Sequence, residues 1–280
     1  MSRDNLHYFG ASKTLSFIFG LAILAAPLDA TSIIIDVKID RILVVADSRA
    51  VEQNPSGNQV RDDKCKIIIL GKMIAFAETG NEGSTPTGPG DPLREWHGTS
   101  EVLKAFDSTP DHDLYKVALA WSIQIANDFQ LFYRSNSERV RSLAVQGILL
   151  EGIFAGRNGQ GSLAFYIANV ALDDTLQARE GAVIPIGYSV AELPLKDEPY
   201  STNAVTRELI DGKTDRAKEV AKLWAKKLRK IPRADRRLRW LEFLVEKTAE
   251  FDSQVHGPVN AVEVKPSSVT WLHNETCKDR

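Results

Sequence analysis

The sequence predicts an α+β fold in which two antiparallel sheets pack face to face and helices cover the outer faces. Strand-like and helix-like segments occur in separate runs along the chain rather than in βαβ alternation. Several strand segments are apolar along their whole length, as expected when a sheet is covered on both faces. A chain of 280 residues is long enough for one large domain of this kind.

The first element is predicted to be a β-hairpin. Residues 33–40 alternate between apolar and polar side chains, which predicts a strand with one face in solvent. The segment RILVVAD (41–47) is almost continuously apolar and predicts a buried strand. Because the end of the second strand returns beside the start of the first, the hairpin is expected to place Asp47 next to Thr31.

The remaining elements follow from apolar periodicity and from Gly and Pro punctuation. Pairs of strands are predicted at 65–80, 145–173 and 258–272, and a single strand at 181–189. Helices are predicted at 112–133, 214–230 and 236–251, and a Gly/Pro-rich loop at 81–92.

The first 30 residues are predicted to be a signal peptide. Arg3 and Lys13 precede an uncharged apolar run at 15–28, which has the length of a signal-peptide core but is short for a membrane span. Ala30 is a small residue at a position suited to cleavage. An uncleaved membrane anchor and a propeptide removed by another route remain open. We therefore expect export to the periplasm or the extracellular space, and a mature domain at 31–280.

Composition excludes some classes of function. The net charge of −2 and the pI of about 6.2 argue against a nucleic-acid-binding protein. After the leader no second long apolar run occurs, so no membrane contact is expected of the mature domain. Two cysteines, Cys65 and Cys277, are too few for a disulfide framework, but a single disulfide between them is possible.

The basic run at 213–239 predicts a helix face exposed to solvent. A contact to an anionic surface or to a neighbouring subunit is the alternative.

If Thr31 becomes the first residue of the mature chain, it carries both a nucleophile and a base. Its hydroxyl is then a nucleophile, and its α-amine, which titrates near pH 8 in model compounds (about 7.7–8.0), can serve as the base. Asp47 ends a buried strand and requires a partner. Lys66 is the natural partner, with Lys64 as the alternative. Gly80 offers a backbone N–H for an oxyanion.

These residues carry a family resemblance. The segments TSIII (31–35), VVADSRA (44–50) and KIIIL (66–70), with a Gly fourteen residues after the Lys, resemble proteasome β-type subunits. That family belongs to the N-terminal-nucleophile hydrolases and has a four-layer αββα fold. The resemblance implies that Thr31 is the nucleophile, and that Lys66 tunes its amine and is oriented by Asp47. It also implies that Gly80 holds the oxyanion, and it places Arg49 at the family's ADSR arginine.

The C-terminal segment FDSQVHGPVNAVEV (251–264) also resembles the family, and Asp252 stands at the family's Asp. Two supporting serines of the family are replaced, one by Val255 and the other by Tyr188. The resemblance therefore implies either a lost proton relay or a substituted one. Two neighbouring residues are candidates for the missing hydroxyls: Ser189 and Ser253.

The expected function is that of an exported N-terminal-threonine hydrolase, or threonine protease, acting on peptide or other amide bonds. Export itself is expected to remove residues 1–30 and expose the nucleophile. The resemblance implies no metal or organic cofactor, and a homo-oligomer remains open. Two alternatives are kept: a catalytically inactive scaffold or assembly subunit, and a small-molecule amidase that acts alone.

Overall fold

The structure is a computed structural model that describes residues 31–54, 57–80, 83–84, 96–144, 147–172, 186–194, 199–274 and 277. The predicted leader at 1–30 and most of the predicted loop at 81–92 lie outside these ranges. The strands are β1 (Ile33–Lys38), β2 (Arg41–Ala46), β3 (Ala50–Asn54), β4 (Gly57–Arg61), β5 (Ile67–Leu70), β6 (Ile74–Gly80), β7 (Gly83–Ser84), β8 (Trp96–His97), β9 (Ile148–Arg157), β10 (Leu163–Leu172), β11 (Ile186–Glu192), β12 (Tyr200–Ser201), β13 (Asn260–Lys265) and β14 (Ser268–His273). The helices are α1 (Gly98–Asp107), α2 (Leu114–Ser135), α3 (Ser137–Leu143), α4 (Ala204–Asp211), α5 (Asp215–Leu228) and α6 (Arg236–Ala249).

Two five-stranded antiparallel sheets form the centre of the molecule. The first sheet has the order β12-β1-β2-β13-β14, and the second has the order β11-β10-β9-β6-β5. The short pairs β3–β4 and β7–β8 form two small separate sheets. β1 and β2 are paired over their full length, from Ile33 opposite Ala46 to Lys38 opposite Arg41. The predicted hairpin is therefore confirmed.

Three apolar clusters show that the layers follow the order helix, sheet, sheet, helix. One cluster lies between the sheets and joins β1, β2 and β13 to β6, β9 and β10. A second cluster packs α1 and α2 on the outer face of the second sheet, around the fully buried Trp121. A third packs α4, α5 and α6 on the outer face of the first sheet. The predicted α+β fold, a four-layer αββα sandwich of two antiparallel sheets flanked by helices, is confirmed.

The polar face of β1 differs from the prediction. Asp36 was expected in solvent, but it is fully buried and forms an ion pair with Arg237 of α6. The alternation in β1 is real, yet α6 covers the face on which Asp36 lies. The expectation of a solvent-exposed face on this strand was therefore wrong, because a salt bridge to a helix far along the chain substitutes for water.

The helices α1, α3 and α4 were not predicted, whereas α2, α5 and α6 correspond to predicted helices. Helix α5 carries much of the basic run; it buries Ala217 and Val220 and exposes its lysines to solvent. This matches the expected solvated helix face. Within the part of the chain that the structure describes, no helix combines the length and the apolar character needed to cross a bilayer.

Cys65 and Cys277 form a disulfide, with their Cα atoms 4.8 Å apart. Cys65 directly precedes Lys66 and β5, at the edge of the second sheet. The bridge therefore ties the C-terminal end of the chain to the segment that carries Lys66.

Candidate active site

Thr31, Asp47 and Lys66 meet at one end of the two sheets. Thr31 stands just before β1, Asp47 directly follows β2, and Lys66 directly precedes β5 of the other sheet. The Nζ atom of Lys66 lies 2.5 Å from the Oγ1 atom of Thr31 and 3.5 Å from the Oδ1 atom of Asp47. All three residues are buried, and the Asp47 side chain has no exposed surface. The structure thus brings together three residues that are far apart in sequence and that the sequence analysis had grouped.

Asp47 is held by the backbone as well as by Lys66. Its Oδ1 atom accepts a hydrogen bond from the N–H of Ser32 at 3.0 Å. Its Oδ2 atom accepts from the N–H groups of Arg49 at 3.2 Å and His256 at 3.3 Å. Burial raises the pKa of Asp47, while Lys66 and these three N–H groups act in the opposite direction. The carboxylate therefore joins the start of β1, its own loop and the 252–256 loop, and its orientation is fixed.

Gly80 ends β6 opposite Leu150 of β9, in the sheet that also carries Lys66. Its φ of 110° lies in a region that residues with a side chain rarely adopt. A Cβ atom at this position would lie 2.7 Å from the carbonyl oxygen of Leu149. The backbone at this strand end therefore requires glycine, and the role of the Gly80 N–H as an oxyanion donor stays a prediction.

Arg49 anchors the loop that follows Asp47. Its guanidinium donates to both carboxylate oxygens of Asp62, at 2.6 and 3.0 Å, and to the carbonyl oxygen of Ser253 at 2.5 Å. The hydrogen bond from Arg49 lowers the pKa of Asp62. Arg49 thus ties the loop after β2 to the segment after β4, through the Asp62 carboxylate, and to the loop after α6, through the Ser253 carbonyl. Ser253 accepts this hydrogen bond through its backbone carbonyl oxygen, and the residue is exposed to solvent.

Asp252 and Ser189 form no hydrogen bond with Thr31, Asp47 or Lys66 among the described residues. Asp252 accepts a hydrogen bond at 2.9 Å from the side chain of Asn203, the N-cap residue of α4. Ser189 lies on β11 of the second sheet, opposite Asn169, and is exposed. At the two positions where the family has serine, Val255 is fully buried in the cluster under α6, and Tyr188 is 47% exposed. Neither position supplies a hydroxyl to Thr31.

The hydroxyls that do surround Thr31 come from segments that the sequence analysis had not singled out. Thr202 donates a hydrogen bond to the carbonyl oxygen of Thr31 and accepts one from the N–H of Ile33, both at 3.1 Å. A buried chain of hydroxyls runs behind the site, with Ser32 and Thr206 2.8 Å apart and Thr206 and Thr248 2.7 Å apart.

Either oxygen can be the donor in the contacts between Ser32 and Thr206 and between Thr206 and Thr248. Thr248 also donates to the carbonyl oxygen of Leu244 at 2.9 Å. A helix-start pattern in the sequence could have pointed to Thr202 and Thr206. Asn203 caps the N–H of Thr206, and an Asn three residues before a Thr at the head of an amphipathic segment is a helix-start signature.

The geometry is suited to activating a hydroxyl at residue 31. A buried ammonium group at 2.5 Å can stabilise developing negative charge on the Thr31 oxygen, and the fixed carboxylate keeps that ammonium in place. Among the residues that the structure describes, no group of three or more His, Cys, Asp or Glu side chains is arranged to hold a metal ion. Comparisons of the sequence with protein-family models and with curated proteins found no match to either.

Proposed function

We propose that this protein is an exported N-terminal-threonine hydrolase that cleaves peptide or other amide bonds, with Thr31 as its nucleophile. The observation that carries the proposal is the contact of Lys66 Nζ with Thr31 Oγ1, beside the buried carboxylate of Asp47. Burial of an ammonium group costs desolvation free energy that the pairing with Asp47 offsets only in part, so a functional reason for the lysine is favoured. The resemblance to proteasome β-type subunits supports the same assignment.

The proposed reaction requires that residues 1–30 have been removed. The Thr31 hydroxyl then gives its proton to its own α-amine, and the oxygen attacks the substrate carbonyl to form a tetrahedral intermediate. The Gly80 N–H stabilises the oxyanion. The C–N bond breaks as the α-amine returns the proton to the leaving nitrogen, which leaves an ester on Thr31. Water then hydrolyses the ester and restores the hydroxyl.

Removal of residues 1–30 by export fits the disulfide. Disulfides form and persist in oxidising compartments and are rare where thiols are kept reduced. The bridge between Cys65 and Cys277 directly adjoins Lys66. An oxidising compartment would thus form this bridge in the same place where the leader is removed.

The first experiment is intact-mass measurement and N-terminal sequencing of the protein from its native host. The proposal expects a chain that begins TSIIIDVK. A chain that begins at any other residue leaves Thr31 without a free amine and overturns the proposal.

The second experiment compares amide hydrolysis by the mature protein with hydrolysis by Thr31→Ala and Thr31→Ser variants. We expect Thr31→Ala to lose activity and Thr31→Ser to retain part of it, because only serine keeps a hydroxyl. Thr270→Ala is the matched control, since Thr270 is an exposed threonine on β14. Mass spectrometry after a brief reaction with an ester substrate is expected to locate an acyl group on the peptide that begins with Thr31. Equal activity in Thr31→Ala and the wild-type protein would contradict the mechanism.

A catalytically inactive scaffold or assembly subunit is the second candidate. The fully buried Val255 and the exposed Tyr188, both at positions where the family has a supporting serine, favour it. This candidate predicts a mature N terminus at any position, no acylation of Thr31, and a complex with another chain. Size-exclusion chromatography with light scattering on native material separates an assembled subunit from a protein that acts alone.

A further inference from the structure

A row of polar side chains crosses the second sheet at the end where Gly80 lies. Thr79 of β6 is directly opposite Glu151 of β9, and Glu151 is directly opposite Asn169 of β10. Ser189 of β11 continues the row opposite Asn169. Residues directly opposite each other in a sheet share a face, so these four side chains lie on the same face.

The row lies on the face that looks toward the first sheet. Two residues away along the strands, Ala77, Ile153 and Ile167 belong to the apolar cluster between the sheets, and side chains two apart share a face. The space between the sheets is therefore apolar in its interior and polar at this end.

The polar row is connected to Thr31 through the edge strand of the first sheet. The phenol of Tyr200 lies 3.5 Å from the Oε2 atom of Glu151. Two residues later, the hydroxyl of Thr202 donates to the carbonyl oxygen of Thr31. Gly80, the predicted oxyanion donor, directly follows Thr79 of the same row. The row is thus linked to Thr31 through Tyr200 and Thr202, and it adjoins Gly80 directly along β6.

The row contains more hydrogen-bond acceptors than donors. Glu151 is only 8% exposed, and the one hydrogen bond to its carboxylate among the described residues is the long one from Tyr200. The amide oxygen of Asn169 is buried and has no hydrogen-bond partner in the described part of the chain. Buried acceptors without donors are costly, so a ligand that brings N–H groups would be favoured here.

We propose that this row selects substrates with a cationic side chain, an ammonium or a guanidinium, which donates to Glu151 and Asn169 while Thr31 attacks the amide. The inference rests on the proposed function and adds the substrate class to it. A cation is favoured over a neutral donor because charge-assisted hydrogen bonds are the stronger ones and because Glu151 carries the negative charge. Neutral and acidic substrates leave the carboxylate uncompensated.

The selection is expected to depend on pH. The charged or titratable groups that act on Glu151 are Arg207 of α4, which is exposed, and Tyr200 of β12. The cross-strand neighbours Thr79 and Asn169 do not titrate in the accessible range. Burial raises the pKa of Glu151 to about 7, and the attraction of Arg207 only partly offsets this. The preference for cations is therefore expected above pH 7 and to weaken below it.

The test uses peptide amides that differ in one residue, with Arg, norleucine or Glu at each of the two positions before the scissile bond. The wild-type protein is expected to prefer Arg in kcat/KM, and Glu151→Gln is expected to reduce the Arg-to-norleucine ratio about tenfold. Glu192→Gln is the charge-matched control, because Glu192 is an exposed residue of β11 in the same sheet. Its ratio is expected to equal that of the wild-type protein.

Two outcomes separate this inference from the proposed function. Hydrolysis that depends on Thr31 but shows no Arg preference, or an equal loss on all substrates in Glu151→Gln, overturns the inference and leaves the function standing. If no amide is hydrolysed, calorimetry with N-acetyl-arginine methylamide still decides. Saturable binding that Glu151→Gln weakens about tenfold supports the cation site, and absent or unchanged binding overturns it.

Discussion

The buried carboxyl of Glu151 is expected to make the free energy of unfolding depend on pH, and this can be tested without a substrate. Burial raises its pKa from 4.5 to about 7 in the folded protein. A group whose pKa is raised by folding stabilises the folded state fully below its unfolded pKa, and this contribution is lost as pH rises through the folded pKa. Each tenfold change in proton affinity is worth about 1.4 kcal/mol. The wild-type protein is therefore expected to lose about 3 kcal/mol through this group between pH 4 and pH 8.

Glu151→Gln removes the titration and keeps the shape of the side chain. The free energy of unfolding of this variant, relative to the wild-type protein, is expected to rise by about 3 kcal/mol between pH 4 and pH 8. Urea denaturation followed by tryptophan fluorescence, with the disulfide intact, measures this difference at each pH. Glu192→Gln, at an exposed carboxyl of β11 that accepts a hydrogen bond from Tyr166, is the control for loss of a surface carboxylate. A difference that stays constant across this range would refute the reasoning.

Three further predictions concern the site and its disulfide. Lys66→Met is expected to abolish amide hydrolysis and to lower the free energy of unfolding by about 3 kcal/mol, because it leaves Asp47 buried without its cation; urea curves close to those of the wild-type protein would contradict this. Gly80→Ala is expected to lower stability by about 1–3 kcal/mol through backbone strain at a φ of 110°, and an unchanged thermal midpoint would be against it. Cys65→Ser is expected to cost about 2–5 kcal/mol, because the bond to Cys277 closes a loop with a sequence separation of 212; reductant should then destabilise the wild-type protein and leave the variant unaffected.

The hairpin and the residues it brings together could be predicted because the information is local. Two apolar segments joined by a short turn can pair in one way only, and the register follows from the alternation of side chains. Asp47 therefore had to return beside the start of β1, where its carboxylate accepts the N–H of Ser32. Lys66 was harder, since it reaches the site from the other sheet. Its assignment depended on the spacing of the family's segments and on the need of a buried carboxylate for a partner.

The burial of Asp36 could not be predicted, because its partner is a remote residue. Nothing near β1 in sequence indicates that Arg237 of α6 lies over this face. A polar residue that alternates with isoleucines is normally solvated, and only the tertiary packing of α6 shows otherwise. Alternation in a strand reports the chemistry of its two faces and leaves open what covers each face.

The hydroxyls that lie around Thr31 were missed for a different reason. The family pattern pointed to Ser189, which lies on β11 of the second sheet, and to Ser253, which is exposed. The hydroxyl that contacts the Thr31 backbone belongs to Thr202, just before α4. Helix α4 is short, and its start is marked by the cap at Asn203 rather than by a long apolar period. A helix-start signal beside a strand would have pointed to this segment without any reference to the family.

Asp47 and Lys66 form one ion pair, but their other contacts differ: Asp47 binds the backbone, and Lys66 contacts the Thr31 hydroxyl. Asp47 accepts three backbone N–H groups from three segments, so the fold itself requires an acceptor at this position. The amine of Lys66 contacts the Asp47 carboxylate and the Thr31 hydroxyl, and both contacts are between side chains. An apolar residue of similar length would fill the same space but would leave the Asp47 carboxylate buried without a cation. The lysine is therefore explained in part by the charge of Asp47, and the proposed mechanism gives the same ammonium group a second role at the Thr31 oxygen.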